Sequence, residues 1–283
     1  MRLSILIPFV VAAIVSALAT PIAARLAHQL GIIDHPNERK VNLRENIPLL
    51  GGLAVGIGFF VSCAVVIIRT PEPSLYTGRI EGFLVGGALL MAVGAFDDRY
   101  TLSLRPKLAA QLAAAWIAIY YGFRIEHFTE PFELTQWDFH PAVMFVVTTG
   151  WIIFITNAMN LLDGLDGLAT GVGAIVGATL TYICWETNQV FGFTVGMALV
   201  GALLGFLPFN FSPAKIFLGD TGALLTGFSL SLLALEGYAK ATLLTFVVPI
   251  LALAVPLIDT GLSIIRRALR GRCCGGVARM AAP

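Results

Sequence analysis

A chain of 283 residues that is 57% hydrophobic and 12% charged is not an ordinary soluble domain, in which roughly 25% of residues carry charge. Its net charge of +1 leaves no electrostatic footprint for nucleic acid. Its four cysteines, Cys63, Cys184, Cys273 and Cys274, show no metal-ligand spacing beyond one adjacent pair.

Apolar runs approach the roughly 20 residues that cross a hydrocarbon core. Nine candidates follow in chain order: 4–26, 49–68, 81–96, 107–122, 141–157, 168–185, 190–208, 222–236 and 241–262. The predicted fold class is all-α, a polytopic membrane bundle of about nine transmembrane helices with active-site loops on the cytoplasmic side. A single integral-membrane domain is expected over 1–272, followed by a short atypical tail, 273–283. The first run is too long for a removed signal peptide and lacks an early small-residue cleavage site. No internal repeat is visible, which weakens a transporter built on inverted repeats. Nine spans divide the 18 basic residues into 13 on one side and 5 on the other. The richer side is read as cytoplasmic and the N-terminus as outside.

Polar clusters interrupt this pattern, and four of them fall on the basic side. In order they are DHPNERKVNLRENIPLLGG (34–52), GAFDDRYTLSLRPK (94–107), NAMNLLDGLDGLATG (157–171) and FNFSPAKIFLGDTG (209–222). Together they bring Asp97, Asp98, Asp163, Asp166 and Asp220 to one membrane face. Their basic neighbours are Arg39, Lys40, Arg99, Arg105, Lys107 and Lys215. Carboxylate and amide oxygens suit a hard cation such as Mg²⁺, and lysine and arginine suit phosphate. A site that mixes both fits a polyphosphate substrate carrying a metal ion.

Plainer readings stand beside this one. Asp163-Gly164 and Asp166-Gly167 are also ordinary turn signals. Asp97-Asp98 reads equally as a helix cap, and Lys107 as an interfacial anchor. Arg25, Arg44 and the 266–272 run serve topology. Asn157, Asn160 and Asp163 resist such a reading, because a spacing of three sets them on one helical face. Asp259, near the end of an apolar run, is a further ionisable candidate.

Five ordered motifs carry a resemblance over about residues 20 to 270: DHPNERK with a following GG pair, DDRYTLSLRPKLAAQ, NAMNLLDGLDGLATG, FLPFNFSPAKIFLGDTGALLTG and PLIDTGLSIIRR. The chain resembles the polyprenyl-phosphate N-acetylhexosamine-1-phosphate transferases, the WecA/MraY superfamily. That resemblance implies ten or eleven membrane helices in the bacterial cytoplasmic membrane. It implies transfer of a sugar 1-phosphate from a UDP-sugar to a polyprenyl phosphate such as undecaprenyl phosphate, releasing UMP. The cofactor implied is Mg²⁺, with Mn²⁺ as a substitute, and a homodimer is compatible.

By similarity, Asp220 is a metal ligand, with Asn160 and Asp163 as metal or pyrophosphate contacts. Asp97 or Asp98 is the base that keeps the lipid phosphate deprotonated, and Asp163 joins the catalytic set. Asn157 and Asp166 shape the nucleotide pocket; Lys107 and Asn210 contact phosphate or nucleotide; Arg39 and Lys40 complete the substrate-binding set. One-step and two-step transfer both stay open.

The sequence departs from the family in three places. Asn42 stands where histidine is usual, Leu49 where a polar residue is common, and no histidine follows His140. The stretch from about Cys273 is accordingly expected to result from a frameshift or truncation, with an impaired family member as the alternative function and a transporter a weaker one. The IDTGLSIIRR ending leans toward the N-acetylglucosamine branch.

Overall fold

The computed structural model describes residues 6–34, 46–69, 78–129 and 136–238. Arg39, Lys40, the ninth run, Asp259 and the tail lie outside the described residues. Eight helices carry the described chain: α1 (Ile7–Leu30), α2 (Gly51–Arg69), α3 (Arg79–Tyr100), α4 (Leu104–Tyr120), α5 (Pro141–Leu162), α6 (Leu168–Glu186), α7 (Val190–Asn210) and α8 (Gly219–Tyr238). They coincide with the first eight predicted spans. Six of them, α1, α2, α3, α5, α6 and α7, are long and apolar enough to cross a bilayer. The protein is therefore a multi-pass, all-α membrane protein. Two short antiparallel ribbons accompany the helices: β1 (Ile33–Asp34) with β2 (Ile47–Pro48), and β3 (His127–Thr129) with β4 (Gln136–Asp138).

Contacts between helix termini show which of them share a side. The ends of α1, α3, α5 and α7 therefore share one side with the starts of α2, α4, α6 and α8. The described parts of all four polar clusters belong to that side. On the opposite side, local sequence fixes the start of α5. Pro141 opens α5, where a missing N–H costs nothing, and His140 Nδ1 accepts the Ala142 N–H at 3.3 Å. Leu6, Val10, Ile14, Leu18, Ile22, Leu26 and Leu30 form an exposed row along α1 at every fourth position, as a lipid-facing stripe requires.

Helix α8 is the axis of the bundle. It packs against α2, α3, α5, α6 and α7, and every residue from 221 to 236 is buried. Its start is reached at backbone distance. A Cβ on Gly52 would lie 2.0 Å from the Gly222 nitrogen, and one on Gly94 would lie 2.5 Å from Thr221 Cα. Only glycine allows α2 and α3 to come so near. Backbone bonds then join α2 to the segment before α8, from Gly51 N–H to the Phe217 carbonyl (3.0 Å) and from Gly52 N–H to the Leu218 carbonyl (2.7 Å). The paired glycines of the first cluster are thus a docking point for the helix that carries Asp220.

Candidate active site

The start of α8 gathers side chains from three other helices. Asp220 stands in its first turn. Lys107, in the first turn of α4, donates to Asp220 Oδ2 at 2.5 Å and also pairs with Asp97 Oδ2. Asn160, in the last turn of α5, donates its amide to Asp220 Oδ1 at 2.6 Å. Asp97, near the end of α3, accepts the Leu102 N–H on its other oxygen at 2.5 Å. Lys107 and Asp220 keep 21% and 26% side-chain exposure against 5% for Asp97, so the cluster opens to the surface at its Lys107 and Asp220 side.

Asp98 points elsewhere. Its Oδ1 accepts the Asp220 N–H at 2.7 Å, and its Oδ2 accepts the Thr221 N–H at 3.1 Å and the Thr221 hydroxyl at 2.5 Å. Adjacent helical residues diverge by about 100°. One aspartate of the pair thus faces the Lys107 cluster while the other satisfies the first amides of α8, which no intrahelical carbonyl can reach.

The remaining predicted residues sit around this centre. Asn157 forms a reciprocal amide pair with Gln111 of α4: its Nδ2 donates to Gln111 Oε1 at 2.7 Å, and Gln111 Nε2 donates back at 3.2 Å. Asp163 is the C-cap of α5, one turn beyond Asn160. Asp166 Oδ2 accepts the Ala214 N–H at 3.1 Å. Asn210 is 2% exposed; it accepts the Thr170 hydroxyl at 2.7 Å and donates to the Ile216 carbonyl at 3.0 Å. Asp166 and Asn210 therefore hold the 211–218 segment that leads into Gly219. The structure brings Asp97, Lys107, Asn160 and Asp220 into one cluster, with Asn157, Asp166 and Asn210 in the frame around it.

Gln111 and Thr170 were not among the expected site residues. Gln111 had a signal, since it lies four residues after Lys107 on the same face of α4. Thr170, the partner of Asn210, had none in local spacing.

Residues 80–238 match the family pattern described as glycosyl transferase family 4. The chain belongs to that family. The match takes in the whole cluster from Asp97 to Asp220. The chain is 37% identical over 267 residues to the probable undecaprenyl-phosphate N-acetylglucosaminyl 1-phosphate transferase of Bacillus subtilis, covering 94% of this chain and 72% of that protein. It is 32% identical over 287 residues to the decaprenyl-phosphate N-acetylglucosaminephosphotransferase of Mycobacterium tuberculosis, covering 92% and 70%. The phospho-N-acetylmuramoyl-pentapeptide-transferase of Halalkalibacterium halodurans is 29% identical over 278 residues, covering 91% and 82%.

Among the described residues, no group of three or more His, Cys, Asp or Glu is placed to hold a metal ion. Two carboxylates and an amide beside an open surface fit Mg²⁺, which uses one or two carboxylates and keeps several waters. The Lys107 ammonium, set between Asp97 and Asp220, marks where a cation is stable.

Proposed function

We propose that this chain transfers a sugar 1-phosphate, N-acetylglucosamine 1-phosphate, from its UDP-sugar to a polyprenyl phosphate and releases UMP. The reaction is placed at the cytoplasmic face of the bacterial inner membrane, with the N-terminus outside. The observation that carries this reading is the Asp97–Lys107–Asp220–Asn160 cluster at one end of a membrane bundle. The names of the relatives support the lipid acceptor and the N-acetylglucosamine donor group.

An oxygen of the lipid phosphate forms a bond to the sugar-bearing phosphorus. The bond from that phosphorus to the oxygen shared with UMP breaks, and UMP leaves with that oxygen. Asp97 keeps the attacking phosphate deprotonated. Asp220 and Asn160, with Asp163 one turn away, would hold Mg²⁺, which supplies charge neutralisation at the phosphates. Lys107 contacts a phosphate oxygen as a point charge. Asn157 sets α5 against α4, while Asp166 and Asn210 shape the nucleotide wall through the 211–218 segment. Arg39 and Lys40 are assigned to substrate binding by the family resemblance of their motif alone.

Full-length protein in lipid nanodiscs, given undecaprenyl phosphate, Mg²⁺ and labelled UDP-N-acetylglucosamine, should yield labelled lipid and UMP in equal amounts. Parallel reactions with UDP-N-acetylgalactosamine and UDP-N-acetylmuramoyl-pentapeptide test the sugar assignment. Label transferred only from another donor overturns that assignment alone. No transfer from any donor by folded protein overturns the reaction and favours an impaired family member.

A further inference from the structure

We infer that Lys107 is a built-in placeholder for the divalent cation: its ammonium occupies the space between Asp97 and Asp220 until the metal arrives, and is then released to bind a phosphate of the substrate. The inference rests on the metal reading above and adds an order of events to it.

Hydrogen-bond occupancy leads to this assignment. Both oxygens of each carboxylate already receive a donor. Asp97 Oδ1 takes the Leu102 amide and Asp98 is spent on α8. Asp220 Oδ1 takes the Asn160 amide. The two remaining oxygens, Asp97 Oδ2 and Asp220 Oδ2, share one ammonium. Among these donors a backbone N–H cannot withdraw, and the Asn160 amide sits on a short stem in a packed helix. Lys107 hangs from a flexible four-carbon stem and keeps a path to solvent. Its departure frees Asp220 Oδ2 for the ion and Asp97 Oδ2 for the attacking phosphate at once.

Charge gives the consequence. Asp97, Asp220 and Lys107 together sum to −1, which repels a diphosphate. One divalent ion in place of the ammonium leaves the two carboxylates neutralised and a free lysine beside them. The same three residues plus the ion then sum to +1. The anion-binding site thus comes into being when the cation enters, and a nucleotide without metal meets a net negative cluster whose lysine is already paired. A lysine that merely anchors α4 at the interface would not move.

The test uses the whole wild-type chain in nanodiscs with Mn²⁺ as probe. Electron paramagnetic resonance follows Mn²⁺ binding, and reductive dimethylation read by peptide mass spectrometry follows Lys107, with exposed Lys215 as internal reference. Saturating Mn²⁺ should speed Lys107 labelling several-fold relative to Lys215, and UDP added afterwards should slow it again. Lys107→Met should tighten Mn²⁺ binding by about tenfold, because a competing positive charge is gone. Mn²⁺ that binds while Lys107 labelling stays unchanged or slows would overturn the placeholder and leave the metal site standing. Weaker Mn²⁺ binding in Lys107→Met would do the same. Absence of Mn²⁺ binding, or binding unaltered by Asp220→Asn, would remove the metal reading and the placeholder together.

Discussion

Asp98 on α3 accepts the backbone N–H of Asp220 at 2.7 Å, so the carboxylate next to Asp97 acts as the cap of a different helix. The two acids, neighbours in sequence, should therefore fail in different ways. Asp98→Asn replaces an acceptor with a group that is half donor, facing two N–H groups and a hydroxyl. A loss of about 0.5–2 kcal/mol is expected, the usual worth of an N-cap, seen as a lower unfolding temperature. Asp97→Asn should leave unfolding close to wild type and lower transfer by about 10² to 10⁴. The opposite pattern would exchange their roles.

Gly52→Ala tests the docking point. The new methyl would meet backbone atoms of Gly222 at 2.0 and 2.4 Å, and backbone cannot step aside. Overpacking of this kind costs about 1–3 kcal/mol. Gly150→Ala in α5 is the control, with nothing within 4 Å of its Cβ. It should be neutral or stabilise by up to about 1 kcal/mol through helix propensity. Thermal unfolding of both variants decides the matter, and equal behaviour would contradict the close approach.

Gln111→Leu should act at a distance. Gln111 is 3% exposed, so its loss leaves the Asn157 amide short of a partner, at about 1–3 kcal/mol. Because Lys107 and Asn160 lie one turn from this pair on α4 and α5, kcat should fall more than KM rises. In a double-mutant cycle with Asn157→Leu the coupling should be about 0.5–3 kcal/mol. Strict additivity would show that the two amides do not act as a unit.

At the far end of the bundle, Arg79 pairs with Glu236 at 2.8 Å, and the Glu236 side chain is only 2% exposed. Arg79→Met would leave a buried carboxylate unpaired. The full penalty for such a break is about 3–5 kcal/mol, reduced here because Arg79 is 45% exposed and in part screened. Adding Glu236→Gln should recover most of the lost unfolding temperature. A double variant as unstable as Arg79→Met would mean that the arginine contributes by packing instead.

Hydropathy located every described helix but stopped short at the polar ends. The third and fifth apolar runs end at 96 and 157, whereas α3 reaches Tyr100 and α5 reaches Leu162. Apolar content reports the hydrocarbon slab, while helical hydrogen bonding continues beyond it. That extra turn carries Asp97, Asp98 and Asn160. Residue type and spacing were enough to gather the acids on one face. They could not say which of Asp97 and Asp98 looks inward, because that depends on where α8 docks. The Asn157–Gln111 and Asn210–Thr170 pairs were illegible for the same reason, since each joins two helices whose adjacency no local pattern encodes. The glycine pair at 51–52 was visible as a motif, and its cause became clear only with Gly222 against it.

The central position of α8 also bears on how the protein is made. Helices are synthesised in sequence, and α8 emerges after the seven described helices that precede it. Until Gly219 has left the ribosome, Asp98 has no amides to receive and Lys107 has only Asp97. Nascent chains shorter than this carry the acids and the lysine but no assembled centre. The last of the described helices to be threaded is the one that closes the cluster, so the Asp220 centre assembles only in the step of biogenesis that docks α8 among its predecessors.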